Sequence, residues 1–176
     1  MYKRQITNSA IHDISSSGIF IGNNTGHNHG YCDPGTDVTG VVVRNNYITR
    51  TGLDIFGSSA ICALYTSDTV IDHNEVCYTT YTGISLGWGW DWKNAPCSGN
   101  NTVSNNYIHD TGKTIHDGGS FYSLGLQEGT KVFGNYLHHH SDGLYDKDGG
   151  LYTDEGSTGM ELYNNVVGDG VYCCLL

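Results

Sequence analysis

An asparagine-centred motif returns along this chain and limits what the chain can fold into. It reads Ile6-Thr7-Asn8-Ser9-Ala10-Ile11, then Val43-Arg44-Asn45-Asn46-Tyr47-Ile48 and Ile71-Asp72-His73-Asn74-Glu75-Val76. It continues as Val103-Ser104-Asn105-Asn106-Tyr107-Ile108, Val132-Phe133-Gly134-Asn135-Tyr136-Leu137 and Leu162-Tyr163-Asn164-Asn165-Val166-Val167. The second residue of each central pair (9, 46, 74, 106, 135, 165) follows the last by 37, 28, 32, 29 and 30 residues. About ten residues after most of these markers comes a second short apolar run: Gly18–Gly22, Ala60–Leu64, Gly83–Gly87, Phe121–Gly125 and Tyr152–Gly156. Two or three short strands per 30 residues, with no helical period between them, is the pattern of a solenoid whose coils stack strand on strand. The expectation is an all-β chain forming a parallel β-helix of about five to six coils. Stacked asparagine amides would satisfy the backbone groups that a tight turn leaves unpaired. A propeller needs about 40 or more residues per blade, and a sandwich does not account for a fixed asparagine marker.

Composition narrows the partners. Eight Lys+Arg stand against 18 Asp+Glu, for a formal net charge of -10, which argues against nucleic acid and anionic membranes. No run of 18 apolar residues occurs, so no helical membrane span is expected. Gly (25) and Asn (15) are abundant and helix formers scarce, against a helix bundle. No apolar h-region follows Met1-Tyr2-Lys3-Arg4, so a signal peptide is not legible. The six cysteines match no zinc module. Cys62 and Cys77 read as small core side chains. Cys32 and Cys97 sit in polar loops, where a disulfide between them is one of several pairings that spacing allows. His27 and His29, with Cys32 and Asp33, offer a weak surface-metal set. The first coil starts within a few residues of Met1 and the last ends in Val171–Leu176, apolar and uncapped. The whole chain, 1–176, is therefore expected to be one β-helix domain that continues in missing flanking coils or caps by association.

Candidate chemistry lies on the second strands. Aligned on Gly22, Gly87, Gly125 and Gly156, they give one column of Phe20, Ala63, Ser85, Ser123 and Asp154. The next column is Ile21, Leu64, Leu86, Leu124 and Glu155. Alternation sends the Leu-rich column inward. It turns Asp154 outward over two serines and leaves Glu155, a supporting acid, at a core-like position. Asp-Gly-Gly occurs at Asp117-Gly118-Gly119 and Asp148-Gly149-Gly150, each just before a second strand. Asp117 and Asp154, a coil apart beside an open face, have the residue types for acid and base or nucleophile. The alternative is that Asp117 and Asp148 only cap turns. Trp88, Trp90 and Trp92 offer platforms for the apolar faces of sugar rings, or a loop folded over the core. His138-His139-His140 is read as a loop between the acidic coils, with at most two of its rings serving one site. His12 and His109 are read as turn residues. Substrate-binding candidates are Trp88, Trp90, His139, His140, Asp148, Tyr122 and Ser123.

The runs Tyr81–Trp90, Asp117–Gly125 and Tyr152–Ser157, in that order, resemble the right-handed parallel β-helix carbohydrate-active proteins, especially glycoside hydrolase family 141. The resemblance covers roughly residues 40 to 170. It implies a right-handed β-helix, hydrolysis of fucoside- or xylan-like plant polysaccharide, and secreted or periplasmic location. It also implies that Asp117 and Asp154 are the catalytic pair. Family members are several times longer, so binding residues on their other parts are not carried over. On this reading the more buried aspartate, taken as Asp154, is the acid. No cofactor is required, though the Asp-rich loops carry donors of the type Ca²⁺ takes. Two other functions stay open. A polysaccharide lyase would need Ca²⁺ or a cation among Lys113, Lys131 and Lys147. A non-catalytic carbohydrate-binding or structural β-helix needs neither.

Overall fold

The computed structural model describes residues 4–22, 38–89, 98–141 and 148–169, and the backbone of 172–175. In the first coil, β1 (Arg4–Thr7), β2 (Ala10–Ile14) and β3 (Ile19–Ile21) follow one another. In the second, β4 (Val38–Thr39) precedes β5 (Val41–Arg44), β6 (Tyr47–Thr51) and β7 (Ile61–Ala63). The third holds β8 (Thr66–Ser67), β9 (Val70–Asp72), β10 (Glu75–Cys77) and β11 (Ile84–Leu86). The fourth holds β12 (Thr102–Ser104), β13 (Tyr107–Thr111) and β14 (Gly118–Ser123), and the fifth β15 (Leu126–Phe133), β16 (Tyr136–His140) and β17 (Asp148–Thr153). The sixth holds β18 (Thr158–Tyr163), β19 (Val166–Gly168) and β20 (Tyr172–Leu175). Among the described residues these form three six-stranded parallel sheets: β1-β5-β9-β12-β15-β18, β2-β6-β10-β13-β16-β19 and β3-β7-β11-β14-β17-β20. Strands β4 and β8 add a short fourth ladder. The result is a parallel β-helix of six coils, as the repeat predicts.

The corner between the first and second sheets explains the motif. The first residue of each pair is left-handed: Asn8, Asn45, His73, Asn105 and Asn164 have φ between 53° and 54°, and Gly134 has 67°. Asparagine and glycine pay least for that conformation, so Gly134 can replace Asn there. The second residue points inward and joins a buried ladder. Asn106 Oδ1 accepts from the backbone N–H and the amide of Asn74, at 2.9 and 3.0 Å. Its own amide donates to the Ile71 carbonyl and to Asn135 Oδ1. Asn46, Asn74 and Asn135 repeat the arrangement, and Ser9 closes it by its backbone N–H alone.

Alternation then fills the interior. Val43, Ile71, Val103 and Val132 come from the first sheet, Ile48, Val76, Ile108 and Leu137 from the second, and Ile61, Ile84, Phe121 and Leu151 from the third. At about 25 cal/mol per Å² this burial is the main favourable term, while the amide ladder fixes which residues stack.

Replacing Asn106 by Ala orphans the Asn74 N–H and the Ile71 carbonyl inside the protein. The expected loss is about 3 kcal/mol. Asn105→Val, which forces a β-branched residue into a left-handed turn, is expected to cost about 1–2 kcal/mol, and Asn105→Gly much less. Urea unfolding of the three variants checks the order.

Candidate functional site

The outer face of the third sheet carries the candidate site, and its register differs from the glycine alignment. Phe20, Cys62, Ser85, Tyr122 and Tyr152 form the outward column, while Ile21, Ala63, Leu86, Ser123 and Thr153 form the next. Ser123 therefore lies inside, fully buried, with its hydroxyl 3.0 Å from that of Ser157. It is not a substrate-binding residue, and Asp154 does not stack on serines. The alignment slips because Gly125 falls one residue later, and Gly156 two residues later, in their coils than Gly22 and Gly87. Asp154 follows β17 at the corner, where its N–H bonds the Ser123 carbonyl. Glu155, expected at a core-like position, is exposed. Cys62, expected in the core, lies on the outward face instead.

The two Asp-Gly-Gly runs are also out of register by one. Gly118 pairs with Asp148, and Gly119 with Gly149. Asp148 thus lies within β17 and is buried, whereas Asp117 precedes β14 and is exposed. Both glycines after Asp117 are required by packing. A Cβ at Gly118 would meet the Tyr81 ring at 2.8 Å, and one at Gly119 the Phe121 carbonyl at 2.4 Å. That close approach lets Tyr81 donate its hydroxyl to the Asp117 carbonyl at 2.8 Å.

Two tyrosines hold the two aspartates. Tyr122 Oη donates to Asp154 Oδ2 at 2.5 Å, and Tyr152 Oη to Asp117 Oδ1 at 3.1 Å. Their rings meet edge to face with centroids 5.2 Å apart. Burial first, then the facing Asp154, raises the Tyr122 pKa. Burial, then the charges of Asp154 and Asp117, raises that of Tyr152. Both phenols therefore stay protonated as donors. Tyr122 also borders a groove of about 330 Å³ with Phe20, Cys62, Tyr81, Ser85 and Trp88. Trp88 is 37% exposed. Trp90 and Trp92 lie outside the described residues, as do His27, His29, Cys32, Asp33, Cys97 and Lys147.

Beneath this face runs a buried polar network that sequence reading did not find. Asp148 Oδ1 accepts the Asp117 N–H at 3.0 Å, and Oδ2 lies 2.7 Å from His116 Nδ1. Burial opposes ionisation of Asp148. Hydrogen bonds from Ser141 and His116, and the facing imidazoles of His140 and His116, outweigh it and hold the pKa below the usual carboxylate value. Buried Asp148 cannot touch a substrate; it orients the backbone of Asp117 and the ring of His116. His116 adjoins Asp117 in sequence, the one signal that could have singled it out.

His138–His140 form the end of β16 rather than a loop. His140 is 2% exposed, with Nδ1 2.6 Å from Thr111 Oγ1 and Nε2 3.8 Å from Asp148 Oδ1, so it too is no substrate contact. His139 is exposed, and its contacts are His138 and Asp169. His12 and His109 lie in β2 and β13, not in turns. Of the lysines weighed for a lyase, Lys113 pairs with Asp110 at 3.2 Å and Lys131 lies in β15 on the first sheet.

Burial lowers the His140 pKa from 6.5 to about 4. Between those values only the unfolded chain takes up this proton, so stability rises with pH across the window and falls on acidification through it. Urea unfolding at pH 7 and pH 5 is expected to show this slope, and His140→Gln to flatten it.

The chain matches the family model described as "Right handed beta helix region" over residues 2–167. No curated protein matches it. A solved structure titled "Glycoside hydrolase" superposes with a TM-score of 0.80 at 29% identity, over 98% of this chain and 33% of that one. The chain thus spans about a third of that protein's length. By the extent of the family match, and by three parallel sheets stacked coil on coil, this chain belongs to the right-handed β-helix family.

Proposed function

We propose that this β-helix hydrolyses glycosidic bonds through Asp117 and Asp154. The observation that carries the reading is the pair of carboxylates held by adjoining tyrosines, one of which, Tyr122, borders an aromatic-lined groove. Asp154, half-buried, is the general acid that protonates the leaving glycosidic oxygen. Asp117, exposed, attacks the anomeric carbon or activates water. Tyr122 and Tyr152 fix one oxygen of each carboxylate and leave the other for chemistry. Asp148 holds Asp117 from below through its N–H, which keeps the reacting carboxylate oriented. Trp88 and Phe20 give apolar surface for sugar rings. The substrate class is a neutral plant-type polysaccharide, fucoside- or xylan-like, met by a secreted or periplasmic protein.

Non-catalytic carbohydrate binding is the second reading. The exposed Phe20 and Trp88 of the groove favour it, because such surfaces bind sugar without any carboxylate pair.

Asp117→Asn and Asp154→Asn are each expected to lower turnover of fucoside or xylan-type substrates by about 10³-fold. Tyr122→Phe is expected to lower it by about tenfold. Azide is expected to restore Asp117→Asn and not Asp154→Asn. Rescue at Asp154 reverses the roles. Sugar binding by the unsubstituted protein with no turnover supports the binding reading.

A further inference from the structure

The outer face of the second sheet holds a cluster that the proposed hydrolysis leaves unused. Glu75 and Cys77, one residue apart on β10, point the same way. His109 on β13 pairs with Cys77 in the neighbouring coil. Their ligand atoms, a carboxylate oxygen, Sγ and an imidazole nitrogen, all lie within 4.8 Å of one another. His109 Nε2 is 3.5 Å from Glu75 Oε1.

The imidazole is aimed and fixed. Its Nδ1 lies 2.9 Å from Asp110 Oδ2. A carboxylate there accepts the Nδ1 proton and leaves the Nε2 lone pair facing Glu75 and Cys77. Tyr107 stacks on the ring at a centroid distance of 4.3 Å, and His138 stacks at 5.3 Å with planes 7° apart. Cys77 is fully buried, and the His109 side chain is 11% exposed. The Glu75 side chain is 45% exposed and opens the cluster to solvent. Three electron-rich atoms thus converge around one point, with a carboxylate behind the histidine. This is the donor arrangement that a cation between them stabilises.

We propose that Glu75, Cys77 and His109 bind a divalent transition-metal ion of the zinc type, with water in the fourth position. Mixed sulfur, nitrogen and oxygen donors select a borderline-soft ion over Ca²⁺ or Mg²⁺. A thiolate and a carboxylate neutralise the two positive charges. On binding, the Cys77 S–H bond breaks, an S–metal bond forms and the proton passes to solvent. The neighbouring set of His138, His139 and Asp169 is the competing location. It is more exposed, with side-chain exposures of 53% for His139 and 70% for Asp169. His138 Nε2 is already engaged by the Tyr107 hydroxyl at 2.8 Å.

The test uses the full chain, stripped with a chelator and titrated with Zn²⁺ by calorimetry and with Co²⁺ by absorption. One equivalent of each is expected, with a thiolate-to-cobalt charge-transfer band and a raised Tm in Zn²⁺. Cys77→Ser is expected to abolish the band. Glu75→Gln, at a solvent-exposed side chain that does not endanger folding, is expected to weaken binding at least about tenfold, one ligand's share of affinity. Asp169→Asn is expected to change neither. No binding overturns the proposal. So does a band that survives Cys77→Ser, or binding lost in Asp169→Asn and kept in Glu75→Gln.

Discussion

Each coil is fastened to the next where the first sheet turns into the second. A left-handed residue reverses the chain, and the amide of the following asparagine reaches the neighbouring coil. A tight corner inside a protein strands backbone N–H and C=O groups that water cannot reach. Here one side chain accepts from one coil and donates to another, so the corner is satisfied only when coils stack in a single register. Apolar burial drives the chain to collapse. The ladder decides which Val, Ile or Leu stands above which.

That register also produces the candidate site. Tyr122 and Tyr152 adjoin because they occupy the same outward position in successive coils. Each then hydrogen-bonds an aspartate that lies outside the regular strand, Asp154 after β17 and Asp117 before β14. The tyrosines thus sit within the regular strands and the carboxylates at the margins of the face. Underneath, the buried Asp148 costs desolvation, offset by the Asp117 N–H, His116 and Ser141. Placing an ionised group there ties the corner bearing Asp117 to the interior.

The coil repeat, the all-β class and the asparagine ladder were legible because they rest on local chemistry that recurs. The place of Asp154 was not: the sequence reading set it in the outward column over two serines, whereas it lies half-buried at the corner after β17. What sequence hid was the exact register. Gly22 and Gly125 look equivalent, but each relieves a different crowding: a Cβ at Gly22 would meet the Leu64 carbonyl at 1.8 Å, and one at Gly125 the Gly89 carbonyl at 2.4 Å. Aligning on them moves every residue of a coil to the opposite face. This turned Ser123 outward on paper and hid Tyr122 as the true outward neighbour. The two Asp-Gly-Gly runs misled for the same reason, since one uses its aspartate at a turn and the other inside a strand. His138–His140 looked like a polar loop. They form a strand because one ring stacks on His109, the next is exposed at the corner and the last is buried against Thr111.

The central claim is that the tyrosine-braced aspartates act on a sugar lying along the third sheet. A crystal structure of Asp154→Asn with an uncleaved oligosaccharide tests it most directly. The account predicts a glycosidic oxygen within hydrogen-bond reach of residue 154, the anomeric carbon facing Asp117, and a sugar ring against Trp88. An oligosaccharide seated on the second sheet, or one running along the groove with no glycosidic bond near either aspartate, would contradict it.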